Sequence, residues 1–491
     1  MYTNKTTQFY DLVIFGAKGD LTKRKLLPAL YKLEKKKKIF KNTRIIGIGR
    51  ANWNNSEYSK IVKENLLNFL DCSLDENIWK LFKSKLFFYN LDINNTSCFK
   101  QLKKILDTDS NITIYYFAMP PNTFEIICKG LGDSHLNNKN TRIVIEKPIG
   151  DSLKSAKIIN KKISKYFKES QIFRIDHYLG KETTLNLLSL RFANSIFFNN
   201  WDNKVIDHVQ ITVSEKVGIE GRWKYFEKTG QMKDMVQNHL LQLLTIITMS
   251  PPNNLEANSI RDEKVKVLNS LRLINNNNVN INTVRGQYSS GIVQGVKVNS
   301  YLNEDGVKKN SRTETFVSIR THIDNSRWEG VPFYLRTGKR LPIKCSKIVI
   351  FFKKTPINLF NNSFINIPEN KLTIRLEPNE GIDLQIINKI PDLQSEYLLD
   401  KVKLNFDYIH TFPKNSLSDA YERLLLESMI GNQSLFVRHD EVEASWKWID
   451  SITNSWSSTN QTPILYKAGT WGPGEISDMI INQDKRYWDN F

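Results

Sequence analysis

Between about residue 10 and residue 180 the chain alternates short β-rich runs with helical stretches, and this rhythm restricts the fold more than any other feature. Candidate strands lie at 12–15, 44–48, 86–89, 112–117, 142–145 and 172–175, and helical patterns at 23–35, 58–69 and 152–163 separate them. Short apolar runs divided by helices, with no room for hairpins, pack as a parallel sheet with crossover helices on its faces. After Lys181 the pattern changes. Longer alternating segments at 207–215, 315–321, 347–352, 371–376 and 382–388 predict an antiparallel sheet, interrupted by amphipathic helices near 232–248 and 418–431.

The first run, Asp11-Leu12-Val13-Ile14-Phe15, enters the turn Gly16-x-x-Gly19, after which Thr22 onward has a helical pattern. Such a turn sets a pyrophosphate at a helix N-terminus. The spacing is shorter than the full dinucleotide fingerprint and also suits an ordinary tight turn. The second strand ends at Gly47-Ile48-Gly49-Arg50, where an NAD site would carry an acid for the ribose 2′-hydroxyl; the next acid is Glu57. A guanidinium there matches a 2′-phosphate, which favours NADP, unless Arg50 only faces solvent.

Arg174-Ile175-Asp176-His177-Tyr178-Leu179-Gly180-Lys181-Glu182 gathers a carboxylate, an imidazole, a phenol and an ammonium where a strand gives way to a helix. Backbone N–H groups and the dipole favour an anion at such a start. His177 and Lys181, four apart, are expected on one face of the first helical turn.

That nonapeptide resembles the active-site signature of glucose-6-phosphate dehydrogenases. Further stretches resemble the same family in order along the chain: Gly16-Ala17-Lys18-Gly19-Asp20-Leu21, Glu146-Lys147-Pro148-Ile149-Gly150, Gln237-Asn238-His239-Leu240-Leu241, Arg336-Thr337-Gly338-Lys339-Arg340, Asp419-Ala420-Tyr421-Glu422-Arg423 and Ala468-Gly469-Thr470-Trp471-Gly472-Pro473. The resemblance implies an α/β Rossmann-like dinucleotide-binding domain over 1–180. Over 181–491 it implies a larger α+β domain with a mostly antiparallel sheet, for substrate binding and oligomerisation.

The resemblance also implies roles. Gly16, Ala17, Lys18, Gly19, Asp20 and Leu21, with Arg50, Asp92, Ile93, Met119 and Lys147, line the NADP site. His177, Tyr178, Lys181 and Lys344 hold the substrate phosphate; Glu215, Asp234 and Lys339 hold sugar hydroxyls; Lys147 meets coenzyme and substrate, and Pro148 follows a cis bond. His239 is the proton acceptor and Asp176 the carboxylate that fixes its tautomer, as in a triad. Read without the resemblance, His239 borders the apolar stripe Val236, Leu240, Leu243 and Ile247, where a histidine is more often a satisfied core residue than a base. One departure stands out: Glu377, in Arg375-Leu376-Glu377-Pro378, occupies a place where relatives are expected to carry Gln, and it is left outside the site.

Bulk properties exclude other classes. The chain has 491 residues, which implies two or three domains. No apolar run spans a bilayer; the longest, 240–249, includes Gln242 and two threonines. The N-terminus lacks the apolar core of a signal peptide. Four scattered cysteines without a C-x-x-C pair suit a reducing compartment and argue against structural zinc, so a cytoplasmic address and no metal are expected. The net charge of +19 attracts anions, but the lysines are scattered rather than gathered around stacking aromatics, so neither nucleic acid nor membrane is the expected partner.

The expected protein is an NADP-dependent enzyme that oxidises D-glucose 6-phosphate to 6-phospho-D-glucono-1,5-lactone, working as a homodimer or homotetramer. Oxidation of another sugar with NAD, and a non-enzymatic basic protein that binds nucleic acid, are the alternatives.

Overall fold

A computed structural model resolves the chain into two compact units: Met1–Lys181 with Asn253–Arg261 and Ser418–Glu443, and Glu182–Pro252 with Asp262–Leu417 and Ala444–Phe491. Residues 8–360, 366–391, 393, 397–413 and 417–489 are described. Residues 1–7, to which the signal-peptide expectation applies, lie outside them.

In the first unit, β1 (Tyr10–Phe15), β2 (Thr43–Gly49), β3 (Leu86–Asn90), β4 (Ile112–Phe117), β5 (Thr141–Ile145) and β6 (Ile172–Ile175) form one parallel sheet in the order β6-β5-β4-β1-β2-β3. The strand Phe436–Val437 pairs antiparallel with β6. β1 is buried at every position because helices cover both faces of the sheet, and this is why its sequence is apolar without alternation. Each Leu, Ile or Phe so enclosed contributes roughly 1.5–3 kcal/mol. The strand order reverses between β1 and β4, which opens a crevice beyond their carboxyl ends. Gly47 allows the helix Asn55–Phe69 to close on β2: a Cβ there would stand 2.6 Å from the Tyr58 ring.

The helix Ala420–Ile430, far along the sequence, belongs to this unit. Asp419 and Glu422 cap its N-terminus, and Lys36 reaches the buried Glu422 at 2.6 Å. At its other end Arg142 donates to the carbonyls of Ser428 (2.8 Å) and Met429 (2.5 Å), groups that the helix itself leaves unbonded. One lysine of the basic run 35–38 therefore serves as an internal tether.

The second unit is built on a nine-stranded sheet in the order Leu399–Asp407, Gly381–Lys389, Lys371–Glu377, Cys345–Phe352, Ile206–Ser214, Phe333–Gly338, Phe316–Thr321, Thr283–Ser289 and Ile464–Lys467. It is antiparallel except for Phe333–Gly338 against Ile206–Ser214 and Ile464–Lys467 against Thr283–Ser289. The central strand Ile206–Ser214 is almost wholly buried, while the edge strand Leu399–Asp407 is largely exposed.

The π-helix Met232–Leu240 and the α-helix Leu241–Thr248 follow one another directly as a helical rod of the second unit. The α-helix is buried at all eight positions. Its C-terminal carbonyls are satisfied by Arg191, which donates to Ile246 and Met249, and by the indoles of Trp201 and Trp328, which donate to Ile247 and Thr248. Among the described residues, no helix is long and apolar enough to cross a membrane.

Candidate active site

The crevice predicted by the sheet order is present in the first unit as a cavity of about 750 Å³. Its wall is made by the turns that follow β1, β2, β3 and β4, and includes Gly16, Ala17, Lys18, Gly19, Arg50, Asp92, Ile93 and Met119. Gly16 has φ +97°, and a Cβ on it would lie 2.4 Å from the Ala118 carbonyl oxygen. No other residue type fits there, and the backbone gains the close approach that a pyrophosphate needs. The turn is tied by Gly19 N–H to Gly16 O (2.8 Å) and by the Thr22 hydroxyl to the same oxygen (2.9 Å). The cavity is within the roughly 300–1,000 Å³ usual for ligand sites, and a dinucleotide suits the donor set along its wall.

Arg50 stands exposed at the rim. Glu57 does not substitute as a ribose acceptor, because its carboxylate accepts from Asn54 N–H at 2.8 Å in a capping box. Asp92 turns its carboxylate on Asn94. Three expected coenzyme residues are not on the cavity wall. Asp20 is exposed and pairs with Arg24 at 2.6 Å, Leu21 caps the π-helix Thr22–Leu26, and Lys147 follows β5 after Glu146. Trp53 and Phe88, in ring contact at 5.1 Å, do line the cavity and were not singled out in the sequence; an aromatic three residues after Arg50 was the available signal.

Beyond β6 the structure corrects the expected helix start. His177–Gly180 is a single 3-10 turn, capped by Asp176, whose Oδ1 accepts from Tyr178 N–H at 3.0 Å. Lys181 is extended and the α-helix begins at Glu182, so His177 and Lys181 do not share an α-helical turn. Asp176 thereby satisfies one of the N–H groups that a helical start leaves open. The Lys181 ammonium lies 4.4 Å above the buried Tyr178 ring, a cation–π contact that aims it. Asp176 is buried and His177 half-buried, with its ring nearly parallel to that of Tyr421 (11°, 6.4 Å).

After β5 the half-buried Glu146 has its carboxyl end enclosed. The Tyr116 hydroxyl donates to it at 2.5 Å and Tyr421 donates as well. Burial pushes this carboxyl up to about 7 against the pull of the two phenols and Lys147. The Lys147–Pro148 peptide is cis.

In the second unit, Glu215 follows the strand Ile206–Ser214 and Lys339 follows its parallel neighbour Phe333–Gly338, so both emerge at one edge. They form an ion pair at 2.7 Å, with Lys339 fully buried. Asp234 lies in the first turn of the π-helix and accepts from the Tyr225 hydroxyl at 3.1 Å; burial and this carboxylate raise the Tyr225 phenol. His239 is 1 % exposed, in keeping with the reading of a core histidine, on a π-helix that is buried at most positions. The i→i+5 bonding of this helix brings residues five apart, here Asp234 and His239, up on one side, whereas in an α-helix they diverge by about 140°. Lys344 is exposed and pairs with Glu377 at 3.3 Å, so the residue left outside the site touches one of its candidates.

Family models match nearly the whole chain. Residues 13–186 match the "Glucose-6-phosphate dehydrogenase, NAD binding domain" and residues 188–489 the "Glucose-6-phosphate dehydrogenase, C-terminal domain". The chain is 57% identical over 489 residues to the glucose-6-phosphate 1-dehydrogenase of Dickeya dadantii, covering 100% of this chain and 99% of the relative. It is 58% identical over 488 residues to that of Buchnera aphidicola subsp. Schizaphis graminum, covering 99% of each. Among solved structures, a glucose-6-phosphate dehydrogenase in complex with glucose-6-phosphate is similar with a TM-score of 0.89 and 33% identity, over 99% of both chains. The glucose-6-phosphate 1-dehydrogenase from Mycobacterium avium is similar with a TM-score of 0.85 and 31% identity.

Proposed function

This chain belongs to the glucose-6-phosphate dehydrogenase family, and from that premise we propose how its residues share the work. The protein oxidises D-glucose 6-phosphate to 6-phospho-D-glucono-1,5-lactone, the first step of the oxidative pentose phosphate pathway. The observation that carries this reading is the match of both family domains, in order, across 13–186 and 188–489.

Bound in the first unit's cavity, NADP would supply the acceptor for the hydride of the sugar's C1. Residues 1–180 act as its binding domain and 181–491 as the substrate-binding and oligomerisation domain. The glycine turn Gly16-Ala17-Lys18-Gly19, with Asp20 and Leu21 at the helix start, cradles pyrophosphate. Arg50 holds the 2′-phosphate, and Asp92, Ile93, Met119 and Lys147 complete the site. His177, Tyr178, Lys181 and Lys344 hold the sugar phosphate, while Glu215, Asp234, Lys339 and Lys147 hold the rest of the hexose. The pair of half-buried Glu215 with buried Lys339 supports this, since it offers one acceptor and one donor already fixed relative to each other.

His239 removes the proton from the C1 hydroxyl as general base, and Asp176 orients its ring and stabilises the imidazolium. A neutral imidazole suits this task near pH 7. The protein works in the cytoplasm as a homodimer or homotetramer. The exposed edge strand Leu399–Asp407, with Leu404 52% exposed, supports assembly. The test is the appearance of NADPH absorbance with purified protein, NADP and glucose 6-phosphate, against glucose as the control. No absorbance change with the phosphorylated sugar refutes the reading, and equal rates on both sugars remove the phosphate-binding role.

A further inference from the structure

Glu146 has no part in the roles assigned above, yet its carboxylate is the hub of a buried cluster. β4 brings Tyr116, whose hydroxyl donates to Glu146 Oε1 at 2.5 Å. The helix Ala420–Ile430 brings Tyr421, whose hydroxyl donates to the same carboxylate. Burial raises both phenols, so each stays protonated and remains a donor at any working pH. On its far side the Tyr421 ring lies nearly parallel to the imidazole of His177. Glu146 itself leads directly into Lys147.

We propose that Glu146 is a positioning residue: through the hydroxyl of Tyr421 and its own peptide link it holds His177 and Lys147 in register for the substrate, His177 at its phosphate and Lys147 at the hexose. This rests on the assignment of His177 and Lys147 to substrate.

The chemistry follows from donor counting. An ionised carboxylate has lone pairs for both phenols and fixes both rings. Once protonated, the oxygen that carries the hydrogen becomes a donor, and a phenol directed at that oxygen has to turn its own hydrogen away. A glutamine keeps the shape but replaces one oxygen with an NH2 that only donates, so a phenol directed at that end loses its acceptor. The charged groups facing Glu146 pull in opposite directions. Lys147 favours the ionised form and Asp176 opposes it, while burial opposes it most. The carboxyl consequently sits at about 7, where the working pH range of a neutral imidazole base lies. The competent, doubly accepting state is present above that value and is lost as the pH falls through it.

The test compares full-length wild type with Glu146→Gln over pH, reading kcat and KM for glucose 6-phosphate separately. The ratio of their kcat/KM values cancels the titration of the catalytic base, which both proteins share. The expected ratio is about tenfold on the alkaline side, carried by a raised KM, and shrinks toward unity on the acid side of neutrality, because wild type then loses what the variant never had. A ratio that does not change with pH, or a loss confined to kcat, overturns the proposal. Tyr421→Phe, which keeps the ring and deletes only the donor, is expected to raise the same KM; it carries the test if Glu146→Gln does not fold. His177→Asn separates the two levels of inference. An unchanged KM in that variant removes His177 from the substrate site. A raised KM there, with Glu146→Gln and Tyr421→Phe at wild-type values, sinks the role of Glu146 alone.

Discussion

The ammonium of Lys344 lies 3.3 Å from the carboxylate of Glu377, and both side chains keep substantial contact with water. Lys344 is assigned to the sugar phosphate, so Glu377 competes with the ligand for the same cation. Exposed pairs of this kind contribute about 0.2–1 kcal/mol, so the competition is mild. Glu377→Gln should therefore lower KM for glucose 6-phosphate by about 1.5- to 5-fold with kcat unchanged, and the gain should fade at high salt. Steady-state kinetics at two ionic strengths check it. A rise in KM would mean that Glu377 aims Lys344 rather than restraining it.

The sequence reading placed β1 to β6 within one or two residues because a strand buried on both faces, such as Leu12-Val13-Ile14-Phe15, needs apolar residues throughout. Leu399–Asp407 was harder to see, since an exposed edge strand is not obliged to show an inward face. The family motifs also brought out Glu215, Lys339, Asp234 and His239, residues that sit at the ends of strands or in the π-helix. What escaped was local geometry. The 3-10 turn at His177–Gly180 and the π-turn around His239 differ from an α-helix in hydrogen-bond span, not in composition, so a 3.6-residue period misplaces the side chains on both. Pairings such as Lys36 with Glu422 or Tyr421 with Glu146 join segments remote in sequence and leave no periodic trace.

Arg50 stands at the rim of the coenzyme cavity with no acid in the ribose-reading place, since Glu57 is occupied by Asn54. A guanidinium bonded to a phosphate contributes about 1.5–3 kcal/mol, and exposure puts Arg50 at the low end. Arg50→Ala is expected to weaken NADP about tenfold while leaving NAD nearly unaffected. Parallel titrations with both coenzymes check this. Equal losses would remove Arg50 from the 2′-phosphate site.

Glu169 accepts from Arg174 at 2.5 Å and faces His439 at 3.5 Å, next to the pairing of β6 with Phe436–Val437. Burial pushes the Glu169 carboxyl up, but hydrogen bonds from His439 and Arg174 outweigh it and bring the group down to about 2. The hydrogen bond to Glu169 raises His439 in turn, against burial. A depressed acid stabilises the fold above its ordinary 4.5 and loses that contribution as pH falls toward 2. A raised histidine contributes below its ordinary 6.5 and loses it as pH rises through its folded value. Both operate together between these limits. Glu169→Gln should cost roughly 2–3 kcal/mol in that window and less at alkaline pH. Urea unfolding at two pH values checks it, and a larger cost on the alkaline side would exclude His439 as a contributor.

His239 and Asp234 give the sharpest separation of roles, because one helix carries both and the π-turn sets them on the same side. If the imidazole takes the C1 proton, its loss acts on the transition state and leaves ground-state binding intact. His239→Asn should lower kcat by about 10²- to 10⁴-fold with KM for glucose 6-phosphate little changed. Asp176→Asn should act in the same direction if, as proposed, its charge stabilises the imidazolium. Asp234, which accepts from Tyr225, is proposed to accept from a sugar hydroxyl as well; Asp234→Asn should then raise KM instead, because such a contact binds substrate and transition state alike. Measuring kcat and KM for all three variants decides the matter. A normal kcat with raised KM in His239→Asn would move that residue from the chemistry to the binding of the sugar, and the base would then have to be sought elsewhere.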